Sequence, residues 1–164
     1  MFHFPVSARA VKFALVVAAA LAASACAKNG DDQFGAGGAG TPGSVQDFAS
    51  NVGDRVFFET DSSELTPTAQ ATLSKQAAWL SRYANYSFTI EGHADERGTR
   101  EYNFALGARR AQTTHDYLVS KGISASRMRT VSYGKERPVA TCDDISCWSQ
   151  NRRAVTVLSG APAS

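Results

Sequence analysis

The sequence predicts a two-layer α/β domain, an α+β sandwich of helices on a four-stranded sheet, over residues 54–160. Two observations carry this prediction. Apolar residues recur at helical spacing in two long segments, and four short segments rich in β-branched or aromatic residues lie between and after them. The order along the chain is therefore β-α-β-α-β-β.

The first three elements are marked by composition and by a helix cap. Residues 55–58 form a short β-prone run. Thr66 is a typical N-cap and Pro67 suits the first helical position, so a helix of about 18 residues should begin there. Residues 87–90 alternate as a second strand does, and a polar loop follows over 91–99. The apolar positions of the helix are Ala69, Leu73, Ala77, Leu80 and Ala84.

The second half begins with a longer helix over about residues 100–121, which Gly122 should end. Residues 128–133 and 153–158 are the third and fourth predicted strands. The apolar stripe of this helix is predicted to be Phe104, Ala108, Ala111, His115 and Leu118, which makes His115 a core residue and not a ligand.

The charge of the chain excludes a strongly basic DNA-binding domain. The 164 residues include 17 basic and 15 acidic side chains. Arg9 and Lys12 lie in the first 25 residues, which contain no acid, so the remaining residues carry 15 of each sign and are neutral. No run of like charges is long enough to act as a nucleic-acid arm, so we expect no nucleic-acid partner.

The N-terminal 25 residues have the order of a secretory signal peptide: a basic leader, an apolar run over 13–23 and small residues. An uncleaved membrane anchor is the alternative, but the run is shorter than the ~20 residues that span a bilayer. Cys26 after small residues resembles a bacterial lipobox, with Ala23 where Leu is usual. That resemblance implies cleavage before Cys26 and acylation there, and Ala27 implies delivery to the outer membrane.

Residues 26–53 are predicted to be a flexible tether, because seven of the 13 glycines lie between residues 30 and 53. A tether of this kind would hold a domain away from a membrane. The alternative is a poorly ordered N-terminus without a mechanical role.

Residues 91–118 carry a motif of the form G-H-x-D-x-x-G, then N-x-x-L, then R-A. Its positions are occupied by Gly92, His93, Asp95, Gly98, Asn103, Leu106, Arg110 and Ala111. Two flanking pieces, 132–138 and 151–154, agree with the same pattern. Over nearly all of 54–158 the chain resembles the OmpA-like peptidoglycan-binding domain family, which implies a β-α-β-α-β-β fold with the helices on one face of a four-stranded sheet.

The resemblance implies that Asp95 and Arg110 bind diaminopimelate, the residue of peptidoglycan stem peptides whose free side-chain end is a zwitterion. The chemistry fits, because an ionised carboxylate accepts hydrogen bonds from an ammonium and a guanidinium presents a planar fork to a carboxylate. Two plainer interpretations stand beside this one: Asp95 caps a turn, and Arg110 is a solvated helix residue.

Four further residues complete the predicted site. Asp61 matches a family position that lines the stem-peptide groove, although Thr60 stands where an aromatic residue is frequent. Leu106 lies one helical turn before the arginine of the R-A pair, on the same face. Asn103 is expected to orient the 92–99 loop. Arg152 either reaches a sugar or carboxylate of the ligand or pairs with a local acid.

Cys142 and Cys147 form a C-x4-C loop. In an exported protein the expected state is a structural disulfide, with free thiols or a metal site as alternatives. A metal site would need more ligands than Asp143 and Asp144 supply, so we expect no metal.

The resemblance implies a binding protein without catalytic activity that holds the outer membrane, through lipid on Cys26, to the cell wall. It also implies TolB and other Tol proteins as periplasmic partners, with a role in envelope constriction at division. A wall hydrolase is one alternative, but no HExxH or G-x-S-x-G motif occurs, and no cofactor is expected. The wall anchor of a flagellar stator is another, although such proteins keep a spanning helix.

Overall fold

A four-stranded mixed sheet organises the part of the chain that the computed structural model describes, residues 40–160. The strands are β1 (Arg55–Phe57), β2 (Ser87–His93), β3 (Met128–Gly134) and β4 (Arg153–Ser159). The helices are α1 (Val45–Asp47, continued by a π-helical segment Phe48–Gly53), α2 (Pro67–Arg82), α3 (Arg100–Ser120) and α4 (Ile145–Asn151). A 3-10 turn, Ala125–Arg127, precedes β3.

The strand order in the sheet is β1-β4-β2-β3. β2 and β3 are parallel, as a crossover through α3 requires, and β4 is antiparallel to both of its neighbours. Phe88 lies opposite Met128 on one side and Leu158 on the other, which places these apolar side chains on the face that the helices cover. The predicted α+β fold is confirmed.

Local signals located helix α2 well. Thr66 accepts a hydrogen bond from the Ala69 N–H at 3.2 Å, and Pro67 occupies the first helical position. The helix buries one face against the sheet, with Leu73 and Leu80 at its centre. It ends at Arg82, two residues before the last predicted apolar position, Ala84.

The predicted buried stripe of α3 is wrong at three of its five positions. Phe104 is 56% exposed, Ala108 is exposed, and His115 is only half-buried, with Nδ1 2.9 Å from the carboxylate of Asp116. Ala111 and Leu118 are buried as predicted. The face that packs on the sheet is instead formed by Asn103, Leu106, Gly107, Arg110, Ala111, Thr114 and Leu118.

Two glycines set the distance between α3 and β2. A Cβ added to Gly92 would overlap the carbonyl oxygen of Gly107, and one added to Gly107 would meet the Ser132 hydroxyl at 2.5 Å. The helix backbone therefore lies directly on the strand. This close approach brings the residues that follow β2 next to the first half of α3.

Two segments predicted as loops contain regular structure. β2 continues through His93, so the polar loop begins three residues later than predicted. Helix α4 was not anticipated, because seven residues are too few to show a helical period. Asp144 caps it by accepting a hydrogen bond from the Ser146 N–H at 2.8 Å.

The folded region begins before residue 54, the predicted start of the domain. Phe48 is 1% exposed and belongs to the core. Asp47 accepts a 2.8 Å hydrogen bond from Trp79 Nε1, and the Gly43 carbonyl accepts one from the Tyr86 hydroxyl. Residues 43–53 are thus part of the domain.

The predicted signal peptide over 1–25, the lipid site at Cys26 and the first part of the tether lie outside the described residues. Between residues 40 and 160, no helix is long and apolar enough to cross a membrane.

Candidate functional site

An open cleft of about 290 Å³ lies where the end of β2, the loop after β1 and the first turns of α3 meet. Its lining residues are Thr60, Asp61, Asp95, Arg97, Gly98, Tyr102, Asn103 and Leu106. Four of the six residues predicted from the sequence are in this set, and the other two, Arg110 and Arg152, are buried beneath or beside it.

Asp95 is a buried carboxylate held by two guanidinium groups. Arg97 donates to it through Nε at 3.1 Å and Nη2 at 2.7 Å, and Arg152 Nη1 lies 3.4 Å from Oδ2. Burial alone would raise the pKa of Asp95, but the hydrogen bonds and charge of Arg97, with that of Arg152, outweigh it and hold the pKa below its ordinary value. Asp95 is therefore ionised. It also caps a turn, since it accepts from the Arg97 N–H at 3.2 Å.

Arg110 is fully buried, so the interpretation of a solvated helix residue is wrong. Its guanidinium donates to three backbone carbonyls: Ser62 at 2.8 Å, His93 at 2.8 Å and Glu59 at 3.1 Å. Burial and the nearby charge of Arg152 lower the pKa of Arg110 to about 10, which leaves it charged at neutral pH. It joins the loop after β1 to the end of β2.

Arg152 pairs with a local acid, one of the two alternatives predicted for it. Besides the contact with Asp95, its Nε donates to the Phe58 carbonyl at 3.0 Å. Two buried guanidiniums, Arg110 and Arg152, therefore lie close to one buried carboxylate. The floor of the cleft has a surplus of positive charge.

Asp61 and Tyr102 form the opposite wall. Asp61 has φ 56°, the left-handed region that Asp tolerates better than most residues, and it accepts a hydrogen bond from the Tyr102 hydroxyl. That hydrogen bond raises the pKa of Tyr102. Tyr102 is not among the residues predicted for the site, whereas Thr60 stands where an aromatic residue was expected. Tyr102 brings an aromatic ring to the cleft from another element.

The loop between β2 and α3 is held by side chains from both sides. Asn103 donates to the Arg97 carbonyl at 2.7 Å, the orienting contact expected of it. Lys135 Nζ donates to the carbonyls of Glu96 at 3.0 Å and Gly98 at 2.7 Å. Gly98 has φ 87°, which a side chain would strain. The conformation of this loop is therefore fixed by hydrogen bonds from Asn103 and Lys135.

Arg97 lines the cleft and is not among the residues predicted for the site. Its side chain is 40% exposed, and its guanidinium lies 4.1 Å from the ring centroid of Trp148. Trp148 Nε1 also donates to Glu96 at 2.6 Å. The signal for Arg97 was its place inside the motif loop, two residues after Asp95. The expected disulfide between Cys142 and Cys147 is present just before Trp148.

His93 is buried and does not line the cleft. Its ring is buried beside Tyr133, and neither ring nitrogen has a hydrogen-bond partner among residues 40–160. Burial lowers its pKa to about 4, with a further contribution from the charges of nearby arginines, so the ring is neutral. Within the described residues no group of three or more His, Cys, Asp or Glu side chains could hold a metal ion.

Known proteins resemble this chain over most of its length. The model of the OmpA family matches residues 57–152. A peptidoglycan-associated lipoprotein of Rhizobium meliloti strain 1021 is 67% identical over 155 residues, which are 92% of this chain and 88% of that protein. Another, from Agrobacterium fabrum strain C58, is 66% identical over 153 residues, 90% of this chain and 86% of the relative.

Among solved structures, the crystal structure of the peptidoglycan-associated lipoprotein from Burkholderia pseudomallei is 40% identical with a TM-score of 0.63. The similarity covers 65% of this chain and 90% of that one. Sequence motif, fold and cleft thus agree with the relatives. The chain belongs to the OmpA family and, within it, to the peptidoglycan-associated lipoproteins.

Proposed function

We propose that this protein is an outer-membrane lipoprotein whose domain binds the stem peptides of peptidoglycan without a covalent bond. The observation that carries the proposal is the cleft itself. It combines exposed and buried carboxylates, Asp61 and Asp95, with a surplus of guanidinium groups, in the loop-and-helix motif of the OmpA family. The names of the relatives point the same way.

The site matches the zwitterion at the free end of diaminopimelate. The ammonium would be accepted by Asp95, with Asp61 on the facing wall. The carboxylate would be bound by Arg97, whose guanidinium is partly exposed in the cleft, above the buried charges of Arg110 and Arg152. The Nη2 of Arg110 makes the longest of its three carbonyl contacts, and a ligand carboxylate would take over that donor. Leu106 contributes an apolar side chain to the lining of the cleft.

Recognition of the ligand must come from individual side chains in the cleft, because the net charge of the domain is small. From residue 54 onward the chain has 14 basic and 12 acidic side chains, a small bias toward an acidic polymer. A moderate affinity per domain suffices for tethering, because many copies on one membrane raise the effective concentration.

The remaining parts of the proposal concern the cell. Lipid on Cys26 would hold the chain in the outer membrane, with the domain facing the periplasm and the wall. TolB and other Tol proteins are the proposed partners, and the complex would support envelope integrity and constriction at division. The resemblance to peptidoglycan-associated lipoproteins supports these statements.

We further propose that the domain binds without catalysis. Purified protein incubated with wall polymer should release no soluble fragments over a time in which a lysozyme control digests the polymer. Release that depends on Asp95 would show that the protein is a wall hydrolase.

The test of the site is a wall pull-down with the full chain and a matched pair of variants. Asp95→Asn removes the charge in the cleft, and Asp116→Asn removes a carboxylate on the exposed face of α3. Asp95→Asn should weaken binding roughly 10- to 100-fold, the usual contribution of a charge-assisted hydrogen bond. Asp116→Asn should bind as the parent does. Circular dichroism checks the fold, and equal binding by a folded Asp95→Asn would refute the site.

A further inference from the structure

Helix α4 and the residue that follows it contact the groups around Asp95, although the helix lies outside the cleft. Arg152, the residue that ends the helix, reaches Asp95 directly at 3.4 Å. Trp148, in the middle of the helix, reaches it through Arg97. Helix α4 therefore helps to position both guanidiniums that hold the Asp95 carboxylate.

Trp148 makes two different contacts with the motif loop. Its indole N–H donates to the Glu96 carboxylate at 2.6 Å, and its ring face lies against the Arg97 guanidinium at 4.1 Å. An aromatic face attracts a cation and restricts where it can lie. Arg97, whose side chain would otherwise be free to move into solvent, is thereby held between the ring and Asp95.

Trp148 does not line the cleft. Among residues 40–160, Trp148 is connected to the cleft through its contacts with Arg97 and Glu96 in the loop that carries Asp95. A ligand carboxylate that binds Arg97 needs the guanidinium in one place, and the same guanidinium fixes the rotamer of Asp95 through two hydrogen bonds.

Helix α4 is too short to be stable without external support. Three devices supply it. The Cys142–Cys147 disulfide closes the chain onto the first turn, and Asp144 caps that turn. At the other end the Asn151 side chain accepts from the Val139 N–H at 2.9 Å. The disulfide, the Asp144 cap and the Asn151 contact together hold the segment that carries Trp148.

We propose that Trp148, held in place by the disulfide-closed loop 142–147, is a positioning residue for peptidoglycan binding. It orients Arg97 against Asp95 and so prepares the cleft for the diaminopimelate zwitterion. The proposal rests on the proposed function of the cleft. According to this proposal, the affinity of the cleft also depends on Trp148 and on the Cys142–Cys147 disulfide, which both lie outside the G-H-x-D motif.

The experiment measures the affinity of the full chain for a soluble muropeptide that carries a diaminopimelate tripeptide, by calorimetry. Trp148→Leu, which removes both the ring and the N–H, should weaken binding three- to tenfold. Trp148→Phe keeps an aromatic face and should recover part of that loss. Ile145→Ala, an exposed apolar residue on the same helix, is the matched control and should bind as the parent does.

A double-mutant cycle separates positioning from a general effect on the fold. If Trp148 acts through Arg97, then Trp148→Leu should cost little further affinity once Arg97→Gln has been introduced. Fully additive losses in folded variants would overturn the proposal. The Cys142→Ser/Cys147→Ser variant should lose affinity two- to threefold, because Asp144 and Asn151 still support the helix.

Tryptophan fluorescence gives a readout that a purely structural role would not move. The chain has two tryptophans, and Trp79 is buried in the core. Muropeptide binding should change the emission of Trp148, and the change should vanish in Trp148→Phe. If the parent does not bind the muropeptide, the proposed function fails. If the parent binds but Trp148→Leu binds equally well, only the positioning role fails.

Discussion

The Nη1 of Arg110 lies 2.8 Å from the carbonyl oxygen of His93, so a fully buried charge ties helix α3 to the end of strand β2. The same guanidinium reaches the loop after β1 through two more carbonyls. Arg110, which was predicted to bind the ligand, therefore also connects the three segments that form the cleft.

Replacing Arg110 should destabilise the domain more than it changes the surface. Arg110→Met leaves three carbonyls without their donor, and we expect a loss of roughly 3 kcal/mol in the free energy of unfolding. Urea denaturation measures it. Arg109→Met, at the exposed neighbouring position, should change the free energy of unfolding by less than about 0.5 kcal/mol. Equal stability of the two variants would contradict the assembling role.

Because the pKa of the buried His93 ring is low, we expect the domain to lose stability in mild acid. The folded chain takes up a proton on this ring only near pH 4, whereas the unfolded chain does so near 6.5. Protonation therefore favours unfolding, and the contribution of His93, up to about 3 kcal/mol, is present above about pH 6.5 and lost as the pH falls toward 4.

Burial is the main cause of the low pKa of His93, and charged and polar groups also face the ring. They are Glu91, Arg55, Tyr133, Arg137 and Arg153. His93→Phe should keep the packing and reduce the slope of unfolding free energy against pH between 6.5 and 4, as measured by urea denaturation at several pH values. An unchanged slope would show that another group is responsible.

The close approach of β2 and α3 predicts different costs for two glycine substitutions. Gly92→Ala would drive a methyl group into the Gly107 carbonyl and should cost about 3 kcal/mol. Gly122→Ala meets nothing within 4 Å, but its φ of 91° strains any side chain, so it should cost about 1 kcal/mol. Thermal or urea unfolding compares them. A smaller loss for Gly92→Ala would mean that the helix can move away.

The start of the domain can be tested at Phe48. Phe48→Ala removes a core ring that packs 4.9 Å from Trp79, and we expect a loss of about 3–4 kcal/mol in unfolding free energy. Val45→Ala, in the exposed part of the same segment, should have little effect. If both variants are as stable as the parent, the tether does extend through residue 53.

Much of the site could be predicted because its signals are local. Each of these signals depends on residues a few positions apart: the motif loop, the N-cap at Thr66 and the turn at Gly98. Four predicted site residues do line one cleft. Tyr102 and Trp148 were missed because their roles come from contacts with partners that other elements supply, whereas Arg97 had a local signal in its place two residues after Asp95.

The wrong face of α3 has a related cause. Counting apolar residues selected Phe104 and His115, yet the buried face carries Asn103 and Arg110. A polar side chain can be buried when its donors are satisfied, and here backbone carbonyls of the 59–62 and 93–97 segments satisfy them. The carbonyls of 59–62 are far from α3 in the sequence, whereas those of 93–97 come shortly before it.

By itself, the sequence determined the family resemblance, the order of the four strands and the two long helices, the cap at Thr66 and the residues of the motif, because each depends on short-range pattern. Only the tertiary structure decided which polar groups are buried, that residues 43–53 join the core, and that Trp148 stands behind Arg97. The physical reason is that burial of a charge or an aromatic ring depends on partners from distant segments, and the fold alone brings those partners into contact.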